Sequence, residues 1–309
     1  MKIYHSLPEF QSVANAVVTI GTFDGVHVGH QKIIARLKEI ASRQQGEVVV
    51  LTFFPHPRMV LFPDSDIKLI NTIAEKQLLL ERFGADHLII HPFTKEFSRY
   101  SAIEFVRDIL VNRIGTKTLV IGYDHHFGRN REGSLEELKE LAPLYNFEVE
   151  EIPEQDIDDV AVSSTKIRKA LMEGDISTAN KYLGYNYMLS GNVVSGDKIG
   201  RSLGFPTANL RIEDKLKLIP ADGVYAVHII INETKWNGML YIGNRPTMQG
   251  KTKNIEVNIF DFDKDIYNES ITVELLEKIR PDQTFLNMEE LGKQLIEDRE
   301  QAINILGKP

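Results

Sequence analysis

The stretch Gly21-Thr22-Phe23-Asp24-Gly25-Val26-His27-Val28-Gly29-His30 decides how the first half of this chain is read. It follows an apolar run, Val17-Val18-Thr19-Ile20, and opens a helical pattern from Gln31 to Ala41. A strand that breaks at glycines and feeds a helix leaves backbone N–H groups pointing outward, where the helix dipole favours an anion. His27 and His30, three residues apart at the first turn, project from one face toward that anion. Gly29 between them permits close backbone approach. The pattern predicts a nucleoside triphosphate site that uses histidines in place of a phosphate-loop lysine. Histidine pairs at helix starts can also be metal ligands or plain surface residues; the longer string from Phe23 to Gln31 is what makes the nucleotide reading specific.

Around this stretch, short apolar runs alternate with helical patterns. Strands are expected at Val17–Gly21, Val48–Phe53, His87–His91, Thr118–Gly122 and Phe147–Glu151, and helices at Gln31–Ala41, Ala74–Phe83, Ala102–Asn112 and Leu135–Leu144. Runs this rich in Val, Ile and Leu suit strands buried on both faces. The alternation predicts a doubly wound parallel sheet of Rossmann-like type, with ligands beyond the C-terminal strand ends. After about Tyr185 the character changes. Tyr187–Ser195, Val224–Asn232, Lys235–Ile242, Asn254–Phe260 and Ser270–Ile279 read as strands without helices between them, which predicts an antiparallel sheet or barrel. A last amphipathic helix presents Leu291, Leu295, Ala302 and Leu306 on one face, with Glu290, Glu297 and Glu300 elsewhere. Two domains are therefore expected, 1–185 and 186–309, meeting at Gly184–Asn186.

Composition narrows the function classes. The 309 residues carry a net charge of −8, which argues against general nucleic-acid binding but not against a nucleotide. No apolar run reaches membrane-spanning length, and Met1-Lys2-Ile3-Tyr4-His5 lacks a secretory core. There is no cysteine, so disulfides and thiolate metal sites are excluded and a cytoplasmic protein is expected.

Further motifs follow strand ends. Thr52-Phe53-Phe54-Pro55-His56-Pro57 is a loop stiffened by two prolines, and Gly122-Tyr123-Asp124-His125-His126-Phe127-Gly128-Arg129-Asn130 follows the fourth strand. Adjacent histidines there suggest a metal, but no tidy ligand spacing supports zinc. Val162-Ser163-Ser164-Thr165-Lys166-Ile167-Arg168 opens another helix, with Ser163 or Ser164 as N-cap; its hydroxyls, amides and cations suit phosphate oxygens. In the second half, Ile255, Val257 and Ile259 share one strand face and leave Glu256 and Asn258 on the other. Alternation alone makes Glu256 a solvent-facing residue. Thr207 and Asn209, one strand period apart, can point to the same side.

In order along the chain, GTFDGVHVGHQ, TFFPHP, GYDHHFG and SSTKIR resemble the adenylyltransferase module of the bacterial bifunctional riboflavin kinase/FAD synthetases. Gly191–Arg201, Leu203-Gly204-Phe205-Pro206-Thr207-Ala208-Asn209, Ile242–Thr247 and Ile255–Phe262 resemble that family's riboflavin kinase module. The resemblance covers nearly the whole chain. The departures are His125, where an aromatic residue is common, and Asp197-Lys198-Ile199, where glycines are common.

The resemblance implies two ATP-dependent steps, riboflavin to FMN and FMN to FAD, with Mg²⁺ accompanying ATP and neither zinc nor haem. It implies that His27 and His30 bind the triphosphate and steady the leaving pyrophosphate. Gly21, Phe23, Asp24 and Gly29 would shape their loop, and Ser163, Ser164 and Arg168 would grip the phosphates. His56 and Asp124 would touch the flavin, as would Arg245 and Thr247. In the kinase half it implies Glu256 as base, Thr207 and Asn209 at the metal, and Gly196, Gly200 and Arg201 over the ATP phosphates. Riboflavin, FMN, FAD and ATP are the expected partners, with no nucleic-acid polymer and no membrane. Two other readings compete. A nucleotidyltransferase for another acceptor, such as phosphopantetheine or a nicotinate nucleotide, leaves Pro206-Thr207-Ala208-Asn209 and Glu256 without a purpose. A non-catalytic flavin-binding or regulatory barrel needs no base.

Overall fold

A computed structural model describes residues 1–122, 126–153, 162–195, 200, 203–247 and 250–307, with the side chains of 131, 245–247 and 250–252 outside that set. It divides into two compact units, Met1–Ser163 and Ser164–Pro309.

In the first unit six parallel strands, β1 (Lys2–Tyr4), β2 (Ala16–Ile20), β3 (Val48–Phe53), β4 (His87–His91), β5 (Thr116–Gly122) and β6 (Glu148–Ile152), lie in the order β1-β4-β3-β2-β5-β6. Every residue of β2 is buried, as a central parallel strand covered on both faces requires. The chain leaves β2 toward β3 on one side and returns to β5 on the other. The turn after β2 therefore lies at the topological switch point, where open α/β sheets bind ligands. The helices are α1 (Val28–Gln44), α2 (Pro57–Leu61), α3 (Ile73–Phe83), α4 (Ala102–Glu104) and α5 (Leu135–Tyr145). The helix expected over Ala102–Asn112 is only partly α-helical: α4 continues as a π-helical segment, Phe105–Ile114. The wider winding turns Phe105, Val106, Ile109, Leu110 and Ile114 into the core that also holds Val18, Leu51 and Leu119.

The second unit starts with α6 (Ser164–Glu173) and α7 (Ile176–Leu183). The sequence reading puts the boundary at 184–186, whereas these two helices pack with the strands C-terminal to them. Asn180 on α7 donates to the Leu275 carbonyl at 2.8 Å, and Ala221 N–H to the Leu171 carbonyl at 3.0 Å. Strands β7 (Tyr187–Val194), β8 (Ala208–Arg211), β9 (Gly223–Ile231), β10 (Thr234–Thr247), β11 (Gly250–Ile259) and β12 (Ser270–Pro281) close into a barrel ordered β10-β11-β8-β7-β12-β9. The last helix, α8 (Met288–Leu306), packs Leu295, Ala302 and Leu306 against Val224, Ala226 and Met239.

A buried ionic contact fastens α8. Asp298 is completely buried and accepts two hydrogen bonds of 2.8 Å from Arg280 of β12, one from Nε and one from Nη2. Removing one partner of a buried pair leaves the other charge uncompensated and costs about 3–5 kcal/mol. Asp298→Ala is expected to lower the unfolding free energy of the barrel unit by about that amount, as read from its denaturant midpoint. A change within about 0.5 kcal/mol, the range of ordinary surface substitutions, would refute the pair's role.

Candidate functional sites

In the first unit the switch-point turn is tightly wound. Phe23, Gly25 and Val26 all take positive φ, at 46°, 94° and 36°. For a β-branched residue such as Val26 this is strained backbone, of the kind that persists only when its surroundings hold it. Asp24, 2% exposed, accepts from the backbone N–H groups of Ile70 (3.0 Å) and Asn71 (3.3 Å). The Thr22 carbonyl accepts from Thr52 Oγ1 at 3.2 Å and from Lys76 Nζ at 2.7 Å. Gln31 closes the turn by donating to the Val26 carbonyl at 2.8 Å. The Phe23 ring lies beneath Gly21, whose Cβ, were there one, would meet it at 3.1 Å.

His27 is the N-cap of α1. Its Nδ1 accepts from the His30 backbone N–H at 3.4 Å, which leaves the proton of the neutral ring on Nε2. The two imidazoles stack, with centroids 3.7 Å apart and planes 18° from parallel. The far side of His30 meets Phe23 at 4.9 Å. Burial lowers His27 to about 4. His30 is pushed well below 6.5 by burial and then by the charges of His27 and Lys76, and its Nδ1 is enclosed with no hydrogen-bond partner among the described residues. Both rings are therefore neutral at pH 7, and what they can offer a ligand is hydrogen bonding rather than positive charge. Gly29 is buried in the first turn.

The structure brings Gly21, Phe23, Asp24, His27, Gly29 and His30 together in one turn. His56, in the neighbouring loop, caps α2 by accepting from Arg58 N–H at 3.1 Å. Ser163 ends the first unit, while Ser164 and Arg168 stand half-buried on α6. Asp124, Gly196 and Arg201 lie outside the described residues, as do the side chains of Arg245 and Thr247 near the end of β10. Lys76 escaped the sequence reading.

In the second unit β8 pairs with β11 so that Asn209 lies opposite Glu256. Glu256 is half-buried and held at both oxygens: Thr207 Oγ1 donates to Oε2 at 3.0 Å and Asn254 Nδ2 to Oε1 at 2.6 Å. Asn258, on the same strand face, is 6% exposed and donates to the Pro206 carbonyl at 2.7 Å. That face is not solvent. It forms part of a cavity of about 290 Å³ walled largely by Phe205, Met239, Tyr241, Phe285, Leu291 and Leu295, with Thr207, Glu256, Asn258, Arg280, Asp282 and Gln283 as polar members of the lining. Gly200 belongs to the same wall, where a Cβ would clash with the Phe205 carbonyl. A second cleft, of about 370 Å³, is lined by Asn209, Asn254 and four basic residues, Arg211, Lys215, Lys217 and Lys253, against one carboxylate, Asp214; Arg211 is paired with Glu213 and Lys253 with Asp222. Glu256 lines the apolar cavity, while its neighbours Asn254 and Ile255 and its cross-strand partner Asn209 line the basic cleft. For a divalent ion, Glu256, Thr207 and Asn209 offer hard oxygen donors of the kind Mg²⁺ takes alongside phosphates and water. Among the described residues no group of three or more His, Cys, Asp or Glu could hold a metal by itself.

Comparison with known proteins bears on both sites. Residues 9–166 match the FAD synthetase family and residues 183–306 the riboflavin kinase family. The chain is 35% identical over 306 residues to the bifunctional riboflavin kinase/FMN adenylyltransferase of Bacillus subtilis, covering 97% of this chain and 95% of that one. The proteins of the same name from Listeria monocytogenes (38%, covering 93% and 91%) and Escherichia coli (34%, covering 94% and 93%) are similar. A crystal structure from Streptococcus pneumoniae, described as a macrolide-efflux protein, superposes with a TM-score of 0.90 at 33% identity over 98% of both chains. That description stays with that protein; no helix among the described residues here is long and apolar enough to cross a membrane.

The buried histidines set an acid limit. Unfolded, His27 takes up a proton near 6.5; folded, it does so only near 4. Between these values the unfolded state binds more protons, so stability present above pH 6.5 is lost as pH falls. His30 is shifted in the same direction. Two such groups contribute a slope of up to about 2.7 kcal/mol per pH unit. Urea unfolding of the first unit is expected to show this loss between pH 6.5 and 5, and His27→Gln with His30→Gln to flatten it. An unchanged slope in the double variant would contradict the burial of two neutral imidazoles.

Proposed function

The chain belongs to the family of bifunctional riboflavin kinase/FMN adenylyltransferases, and from that premise we propose how its residues divide the two reactions. The protein converts riboflavin and ATP to FMN, then FMN and a second ATP to FAD and pyrophosphate. We assign residues 186–309 to the first step and 1–185 to the second.

The observation that carries the kinase assignment is the position of Glu256 on the apolar cavity, next to residues that line the basic cleft. The flavin ring system suits the cavity, and the ATP phosphates suit the cleft. The transferred phosphoryl group would then meet the ribityl hydroxyl near Glu256. Glu256 takes the hydroxyl proton as the oxygen attacks the γ-phosphorus, and ADP leaves. Thr207 and Asn254 aim the carboxylate. Thr207 and Asn209 would hold Mg²⁺, which neutralises phosphate charge when bound with ATP. Gly196, Gly200, Arg201, Arg245 and Thr247 complete the nucleotide and flavin contacts in this reading.

In the first unit an FMN phosphate oxygen attacks the α-phosphorus of ATP in line and pyrophosphate leaves. No protein nucleophile is required, so positioning and preorganised donors carry the rate. The Nε2–H of His27 and the ring of His30 face the triphosphate, and the first-turn amides of α1 add their dipole. Ser163, which closes the first unit, serves the phosphates, and His56 and Asp124 the flavin. The lack of cysteine and the use of ATP support a cytoplasmic location.

Glu256→Gln is expected to abolish FMN formation from riboflavin while FMN-to-FAD conversion continues. His27→Ala with His30→Ala is expected to do the reverse, with losses of at least about 100-fold in the affected step. Chromatography of the flavins reads both. If either change removed both activities from a folded protein, the assignment of two separate sites would fall.

A further inference from the structure

Lys76 is a buried cation that the histidine motif does not account for. It stands on α3, 5% exposed, and gives its ammonium to the Thr22 carbonyl, the same oxygen that receives Thr52 Oγ1. From the turn, Asp24 faces it with a carboxylate whose charge favours the ammonium; from α1, His30 faces it as a neutral ring. On its own helix, Glu75 is engaged in a capping box with Thr72. Enclosing an ammonium costs several kcal/mol even after relaxation. A methionine of similar length would fill the same space without that cost, and replacing buried ions by apolar groups is often neutral or stabilising. The return inside the fold is a tether on one carbonyl and a counter-charge for the buried Asp24 carboxylate, neither of which a neutral pair of similar shape would need. The charge itself is the property this position supplies, and it lies against a turn whose two histidines are uncharged.

We propose that Lys76 is a positioning residue for adenylyl transfer: it holds the 21–27 turn through the Thr22 carbonyl and provides, near His30, the positive charge toward which the triphosphate is drawn. The proposal rests on the adenylyltransferase reading of the first unit. It replaces the expectation of histidines in place of a lysine with one of histidines backed by a lysine. Burial lowers the ammonium to about 8, opposed by Asp24, so the charge is lost within an accessible pH range.

The test uses the full chain as wild type, Lys76→Arg and Lys76→Met. The readout is kcat/KM for ATP in FMN-to-FAD conversion from pH 6 to 9.5, with riboflavin-to-FMN conversion measured on the same samples. Wild type is expected to decline by about tenfold per pH unit above the lysine's titration. Lys76→Arg, whose guanidinium does not deprotonate, is expected to retain activity within about threefold at pH 7 and to lose that decline. Lys76→Met is expected to fall at least about tenfold at pH 7, with kinase turnover unchanged in all three proteins. A methionine variant within about twofold of wild type would overturn the proposal. So would an arginine variant that declines at the wild-type pH, and this comparison decides even if the methionine variant misfolds. A wild-type protein that forms no FAD at any pH would instead overturn the adenylyltransferase reading.

Discussion

A carboxylate buried at Asp24 holds the turn on which the first unit's chemistry depends. With its Oδ1 committed to two backbone amides that precede α3, it pins a loop whose φ angles would not persist in a free chain. The turn in turn fixes where α1 begins, and hence where His27 and His30 stack. Low dielectric makes this arrangement unforgiving: each buried polar atom left without its partner costs about 1–3 kcal/mol. The same burial keeps the histidines neutral, so that in the function proposed for them they would meet phosphate as oriented donors rather than as diffuse charge.

The second unit solves a similar problem with different parts. Its glutamate is half-buried, and two side chains hold both of its oxygens. The barrel supplies register, which sets Asn209 opposite Glu256, and α8 supplies the cover that turns an outer strand face into a cavity. Arg280 and Asp298 tie that cover down. Neither unit requires a protein nucleophile. Both bring two substrates together and keep the charges around them fixed, which is what phosphoryl and nucleotidyl transfer ask of a protein.

Much of this was legible in the residues. The strands Val48–Phe53 and His87–His91 end where the apolar runs end, because a doubly covered strand needs an unbroken run. β1 escaped because three residues at a sheet edge carry no period, and β8 because its four residues read only as a motif. Glu256 was legible as a residue but not as one that lines a cavity, since alternation cannot tell solvent from a cavity closed by a distant helix. Lys76 and Asp298 were missed for a related reason: a charge within a helix reads as a solvent-facing residue. Each nevertheless lies on an apolar stripe, Lys76 with Leu79 and Leu80, Asp298 with Leu295 and Ala302. A charge in register with the buried positions is the signal that would have found them.

One chain runs two consecutive ATP-dependent steps on a flavin. Incubating the protein with riboflavin, ATP and Mg²⁺ and separating the flavins over time tests it most directly. FMN is expected to appear first and FAD to follow, with pyrophosphate released in step with FAD. Riboflavin recovered unchanged, or FMN that accumulates without any FAD, would contradict it.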